Sequence, residues 1–378
     1  MLQYVFRVAA VLMMGLFASS SHVCADWPTF HGDMMRSGQA ETPVAADVTI
    51  AWSTKLGSSV DSSPAVVGNR VYIGTADGDV VCVDASDGSE LWRQQTGACV
   101  ISSPAVSDGT VFVGSVDRCL YAFDAGDGDM RWRVRTWAPV VASPLVSGGR
   151  VYIGSMDGTF TCVQADSGDL LWQREGAAIS AAAAAHADGE IFYGDEGGTL
   201  HACDGSTGEE NWSQDFEGKI VAAPAVFGDR IIIGVMTPSR LKPPKVPFVI
   251  CMDRQSGEII WQKTDATSLM HTPVCDGELV YYAGVSGYTS STHMFASRVS
   301  DGEEMWKKGL GGVADCSPAV AQDMFVFGNH DGKVHLWSIP EGREIGSIDM
   351  EAKLFSSPAV VESGVYFGTG DGRLVCLR

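Results

Sequence analysis

The side chains with the greatest chemical potential are His271 and Cys316, which hold equivalent places in two successive units of a repeated pattern. Asp315 stands beside the cysteine, and Asp61 holds the matching place in an earlier unit. A histidine next to a cysteine can take the thiol proton to make a reactive thiolate, or can supply half of a metal site. Gathered around an axis, the same four residues also make a hydrogen-bonded polar lining, and position alone favours that quieter reading. The spacings that usually carry catalysis or a bound metal are missing: the chain has no GxSxG, no HExxH, no GxxxxGK, no CxxC and no CxxCH. No catalytic, cofactor-binding or metal-ligating residue is assigned from the residues themselves.

What must position these side chains is the repeat. Pro64 returns as Pro104 and Pro144, Ala184 stands in for it once, and Pro224, Pro273, Pro318 and Pro358 follow at spacings of 40, 40, 40, 40, 49, 45 and 40. A period of this size marks a repeat architecture and outweighs local propensity, including the alanine run at residues 181–185, which its register makes an inner strand. Each copy reads as four short strands separated by turns such as Asp77-Gly78 and Asp87-Gly88. The fourth strand carries a tryptophan four residues after a glycine: Gly88 and Trp92, Gly128 and Trp132, Gly168 and Trp172, Gly208 and Trp212, Gly257 and Trp261, Gly302 and Trp306. In the seventh copy Gly342 is followed by Gly346. The eighth copy ends after its third strand, and Trp52, 40 residues before Trp92, supplies the strand it lacks. These features predict an all-β, eight-bladed β-propeller of four-stranded antiparallel blades over residues 52–378, its last blade closed by the N-terminal strand. Residues 26–51, with the run WPTFHGDMMRSG, form a lead-in packed across it.

Residues 1–25 differ from all that follows. Arg7 precedes an apolar run at residues 8–18, and Val23-Cys24-Ala25 suits signal-peptidase cleavage, so the chain is expected to be exported to the periplasm or beyond. His22 and Val23 precede Cys24 where lipidation wants a small residue, which argues against an anchor there. The apolar run at residues 8–18 is too short to span a bilayer. Removing it turns a net charge of −20 into −21, with 25 basic against 46 acidic residues, a balance that speaks against nucleic acid as a partner. Many of the acids are turn residues of the repeat. The run DAGDGD at residues 124–129 lacks the bidentate glutamate of a calcium loop. Cys82, Cys162, Cys251 and Cys376 share one interior repeat position, where cysteine acts as a small hydrophobe.

Binding residues are expected on one rim. Copy five replaces a tight turn with residues 237–247, carrying Arg240, Lys242 and Lys245, and copy six has a smaller insertion with Tyr288 and His293. Trp137 stands in the loop before copy three. Turns between second and third strands and crossings between blades emerge on one face, so these residues should share it.

The units YIGTADGDVVCVDASDGSELW, FVGSVDRCLYAFDAGDGDMRW and YIGSMDGTFTCVQADSGDLLW resemble the repeats of the pyrroloquinoline-quinone (PQQ) propeller family over nearly all of the chain after its leader. WPTFHGDMMRSG resembles the lead-in of exported members, with His31 where arginine is common. The resemblance implies one of two classes. Quinoprotein dehydrogenases hold PQQ over a tryptophan beneath a disulfide of adjacent cysteines, with calcium and an aspartate base; here no two cysteines are adjacent and no aspartate matches the base. Non-enzymatic envelope propellers, such as the lipoprotein of the outer-membrane β-barrel assembly machinery, offer a surface to partner proteins. The missing clamp favours this second class: an exported scaffold for a protein or extracellular ligand, with no cofactor. PQQ and calcium remain the alternative.

Overall fold

The computed structural model describes residues 26–179, 183–236, 248–264, 271–286, 291–310, 312–313, 316–339 and 341–378. Their strands form eight antiparallel sheets in a ring, each following the chain from axis to rim. Blade 1 comprises Ala65–Val67, Arg70–Gly74, Asp79–Asp84 and Glu90–Gln95, and the pattern repeats around the axis. Middle strands are buried on both faces, so they read as continuous apolar runs such as Val80 to Val83. Cys82, Cys162, Cys251 and Cys376 lie in these runs with no exposed surface, and all nine described cysteines are free thiols. The inner strand of blade 4 is Ala185–Ala187; of the alanine run at residues 181–185 only Ala185 lies in it, Ala183 and Ala184 precede it without strand pairing, and residues 181 and 182 lie outside the described residues.

Blade 8 closes as its repeat requires. Its Ala359–Val361, Gly364–Gly368 and Arg373–Leu377 are completed by Ile50–Lys55, with Trp52 opposite Cys376. Where other blades turn from third to outer strand, here Thr49 and Arg378 exchange backbone hydrogen bonds of 2.6 and 2.9 Å.

Neighbouring blades are joined by the tryptophan and glycine of the motif. Each indole lies on the turn glycine of the next blade: a Cβ at Gly128 would come within 2.8 Å of the Trp92 ring. Gly128 also has φ +81, which only glycine adopts without strain. The Trp92 indole N–H donates to the Ala125 carbonyl, and Trp52, Trp132, Trp172, Trp212 and Trp261 make the same bond one blade on. Blade 7 departs from this, with Gly346 opposite Leu336 where the others place tryptophan. The lead-in occupies that space: a Cβ on Gly346 would lie 2.9 Å from the Ala46 carbonyl oxygen, and Val44 is buried in the surrounding cluster.

The rest of the lead-in winds around the channel and plugs one end. Its carbonyls at Trp27, Pro28, Met34, Met35 and Gly38 accept the inner-strand N–H groups of Val66, Val106, His186, Val226 and Val320, and Gln39–Ala40 adds a parallel fifth strand to blade 7. These backbone groups would otherwise be buried unpaired. Gly38 is obligatory there: φ is +65 and a Cβ would lie 2.4 Å from Val274 and 2.7 Å from the His31 ring.

Candidate functional site

Two of the described surfaces could carry function, and both follow from the inner ends of the blades. Of the residues expected there, Asp315, Arg240, Lys242, Lys245 and Tyr288 lie outside the described residues, as does the expected leader with Cys24.

The first surface is the channel. Above the plug remains an axial cavity of about 220 Å³, with Phe30 as its floor and Asp61, His271, Thr272 and a set of serines among its walls. The residue just before each proline builds a ring of blade-to-blade bonds. The N–H of Ser63 donates to the Ser103 hydroxyl (2.9 Å), Ser103 to Ser143 (3.0 Å), Thr272 to Ser317 (3.0 Å), Ser317 to Ser357 (2.9 Å) and Ser357 to Ser63 (3.0 Å). The ring breaks where Ala183 and Ala223 have no hydroxyl. Beside the gap the Thr272 hydroxyl is buried, 1 % exposed, with no hydrogen-bond partner among the described residues. This arc could hold water or a small acceptor. The sequence reading looked one residue earlier and missed the ring; the recurrence of serine before proline was the available signal.

Cys316 does not face this cavity. Its thiol bonds to the backbone N–H and carbonyl of Gly328 at 3.1 and 2.9 Å, the role Ser62 plays with Gly74. The structure therefore puts His271 on the channel wall and Cys316 inside its own blade, giving the pair different surroundings.

Below the cavity the plug is built around two buried polar side chains. Arg36 is fully buried and donates to the carbonyls of Ala184, Phe30 and Pro144 and to the Thr29 hydroxyl, at 2.7 to 3.1 Å. His31 touches the Arg36 and Pro318 carbonyls at 2.8 and 3.0 Å. Burial pushes the His31 imidazole down to about 4, against the opposing pull of those carbonyls and Asp33.

The second surface is the face opposite the plug, where blade crossings meet the turns between second and third strands. Crossings are pinned by turn carboxylates: Gly97 N–H donates to Asp117 and Trp137 N–H to Asp157, the latter at 3.0 Å. Burial raises the Asp157 carboxyl, but hydrogen bonds from Thr159 and Trp137 outweigh it and hold the group below its usual value. Blades 1 and 2 have Gly57 and Gly97 where Trp137 stands, so its indole is an addition to the repeat, and it is 86 % exposed. Met156, whose N–H braces the same crossing at Pro139, and Ile101 at the cavity rim are also exposed.

The family model of the outer membrane protein assembly factor BamB matches residues 44–178, 157–237 and 289–378. Among solved structures, BamB from Moraxella catarrhalis is similar at 20 % identity and a TM-score of 0.74, covering 88 % of this chain and 97 % of that one. Quinohemoprotein alcohol dehydrogenase from Comamonas testosteroni is similar at 14 % identity and a TM-score of 0.78, covering 93 % and 80 %. The computationally designed Ika8 protein is similar at 18 % identity and a TM-score of 0.71, covering 86 % and 98 %. At these identities the structures show a shared fold alone. No curated protein matches the chain.

Proposed function

The chain belongs to the family of the outer membrane protein assembly factor BamB, and from that premise we propose that it is an exported, non-catalytic propeller that binds a protein partner in the cell envelope. Trp137 carries the reading. An indole held 86 % in solvent on a pinned crossing does nothing for the fold, whereas tryptophan is the side chain that most often anchors the buried centre of an interface. Met156 and Ile101 continue the apolar surface towards the axis. Met236, the last described residue before the copy-five insertion, exchanges backbone hydrogen bonds with Lys219 of the crossing into blade 5; Arg240, Lys242, Lys245 and Tyr288 lie outside the described residues, and their part in this surface is proposed from the sequence alone.

The residues described around the channel do not fit a quinone with its calcium. The floor is Phe30, the walls are mostly Ser, Thr, Ala and Val, and eight of the nine described cysteines are buried. Among the described residues no cluster of three His, Cys, Asp or Glu side chains could hold a metal ion. No helix among them is long and apolar enough to cross a membrane.

The test is a photo-reactive residue in place of Trp137, cross-linked in intact envelopes, with Leu170 on an outer strand as the comparison position. A discrete adduct from position 137 alone is expected. Equal labelling at both positions, or alcohol- or sugar-dependent dye reduction after reconstitution with PQQ and calcium, would overturn the scaffold reading.

A further inference from the structure

Between blades 1 and 2, where third and outer strands reach the loop face, lies a cleft of about 590 Å³. Gln95, Thr96 and Gly97 form one wall, and Cys119, Tyr121, Met130, Arg133 and Arg135 the other. Arg133 and Arg135 are two residues apart on Met130–Arg135, so both side chains leave the same face of the strand, opposite Tyr121 and Cys119.

Comparison with the preceding blade shows what has changed. In blade 1 the equivalent of Arg133 is Arg93, which is neutralised twice, by Glu90 at 2.6 Å and Asp79 at 2.5 Å. Forty residues on, those two acids are replaced by Met130 and Cys119, and Gln95 is replaced by Arg135. The repeat has thus lost two negative charges and gained a positive one at a single place. Among the described residues neither Arg133 nor Arg135 forms an ion pair, and both are exposed. Asp117 also lines the cleft, but its carboxylate accepts from Gly97 N–H at 2.7 Å, the Tyr121 hydroxyl at 2.6 Å and Cys119 N–H at 3.0 Å. Adjacent Arg118 is exposed. On a chain of formal charge −20 this is a local concentration of guanidinium groups, with Asp117 the one carboxylate among the residues that line the cleft.

We propose that this cleft binds a phosphoryl group, held between the guanidinium forks of Arg133 and Arg135. The oxygens of a carboxylate lie in one plane, whereas the unesterified oxygens of a tetrahedral phosphoryl group, in a monoester or a diester, point in different directions and can accept from two forks at once. The ligand is a free phosphate compound or the phosphate of a lipid headgroup; the chemistry of recognition is shared. The site does not depend on which protein docks on the loop face.

The test uses the full processed chain at low ionic strength. One arm titrates inorganic phosphate by calorimetry; the other floats the protein with phosphatidylcholine vesicles containing or lacking phosphatidylglycerol. Saturable binding is expected in at least one arm, and the arm identifies the source. Arg133→Gln with Arg135→Gln should weaken it at least about tenfold. Met130→Glu should do the same by restoring the carboxylate that neutralises Arg93; position 130 is 53 % exposed, so the fold tolerates it. Lys333→Gln on blade 7 shifts net charge equally and should leave binding unchanged. The proposal fails if neither arm shows saturable binding, if Met130→Glu binds as the wild type does, or if Lys333→Gln weakens binding as much.

Discussion

Replacing Trp137 by alanine removes a ring that packs on almost nothing, so the free energy of unfolding should change by no more than a surface substitution does, about 0.5 kcal/mol. Affinity for the partner should fall by about 2 kcal/mol or more, because truncating an aromatic anchor exposes the pocket it filled. A destabilised Trp137→Ala protein would assign the ring to the fold. His31 makes the opposite case, a residue that serves the fold alone. Its imidazole is neutral at pH 7 in the folded chain, with its titration lowered to about 4, but takes its proton near 6.5 when unfolded. Between those values the unfolded state binds the extra proton, so stability falls as the medium is acidified, by up to about 3 kcal/mol. Urea unfolding at pH 7 and pH 4.5 should show a smaller loss for His31→Gln than for the wild type. At this scale the sequence was read unevenly. Trp137 stood out because no other copy places an aromatic residue there, the matching positions holding Gly57, Gly97, Ala177 and Glu217, whereas Cys316 and His271 looked alike because register does not say whether a side chain turns to the axis or back into its blade.

Each tryptophan–glycine contact couples one blade to the next, so damage there should spread beyond its own sheet. Gly128→Ala must accept a positive φ and push against the Trp92 ring, at a combined loss of about 3 kcal/mol in chemical unfolding. The same change at Gly189, where a Cβ meets nothing, carries only the backbone part of that loss. The outer strand of every blade also has a β-bulge at the same step, as between Cys82 and Val83 or Cys203 and Ala202, which kinks the strand at the rim against pairing with another molecule. Strand order and turns were legible because glycine and aspartate punctuate each copy. The exception at Gly346 was legible as a break but not as a cause. Its reason is a distant piece of chain, residues 44–48, lying where the indole would go. Gly346→Trp should therefore lower stability, by displacing that chain, and not add an eighth contact; unfolding midpoints decide between them.

The ring as a whole was readable from arithmetic: a period near 40, and a lone Trp52 one period ahead of the first complete copy. That residues 26–51 pack across it was expected as well; that they plug the channel was not legible, because residues 26–46 follow no period and their bonds are to backbone groups around the axis. Arg36 is the test of its importance. Arg36→Met keeps the length but leaves the carbonyls of Ala184, Phe30 and Pro144 without their donor, and should lower the free energy of unfolding by about 3 kcal/mol or more, seen as a lower midpoint. An unchanged midpoint would show that the inner strands hold the channel without it.

The pairing of Trp52 with Cys376 sets a timetable for synthesis. The strand that finishes blade 8 comes before the seven other sheets in the chain and its neighbour comes after them, so it must wait while those sheets assemble. During that interval it offers an open edge to any copy that has a finished third strand to give. Shortening the chain before Arg373 would make the wait permanent, and because no such copy has the strand to give, the expected product is a ring left open at blade 8 that unfolds at lower urea concentration than the closed one.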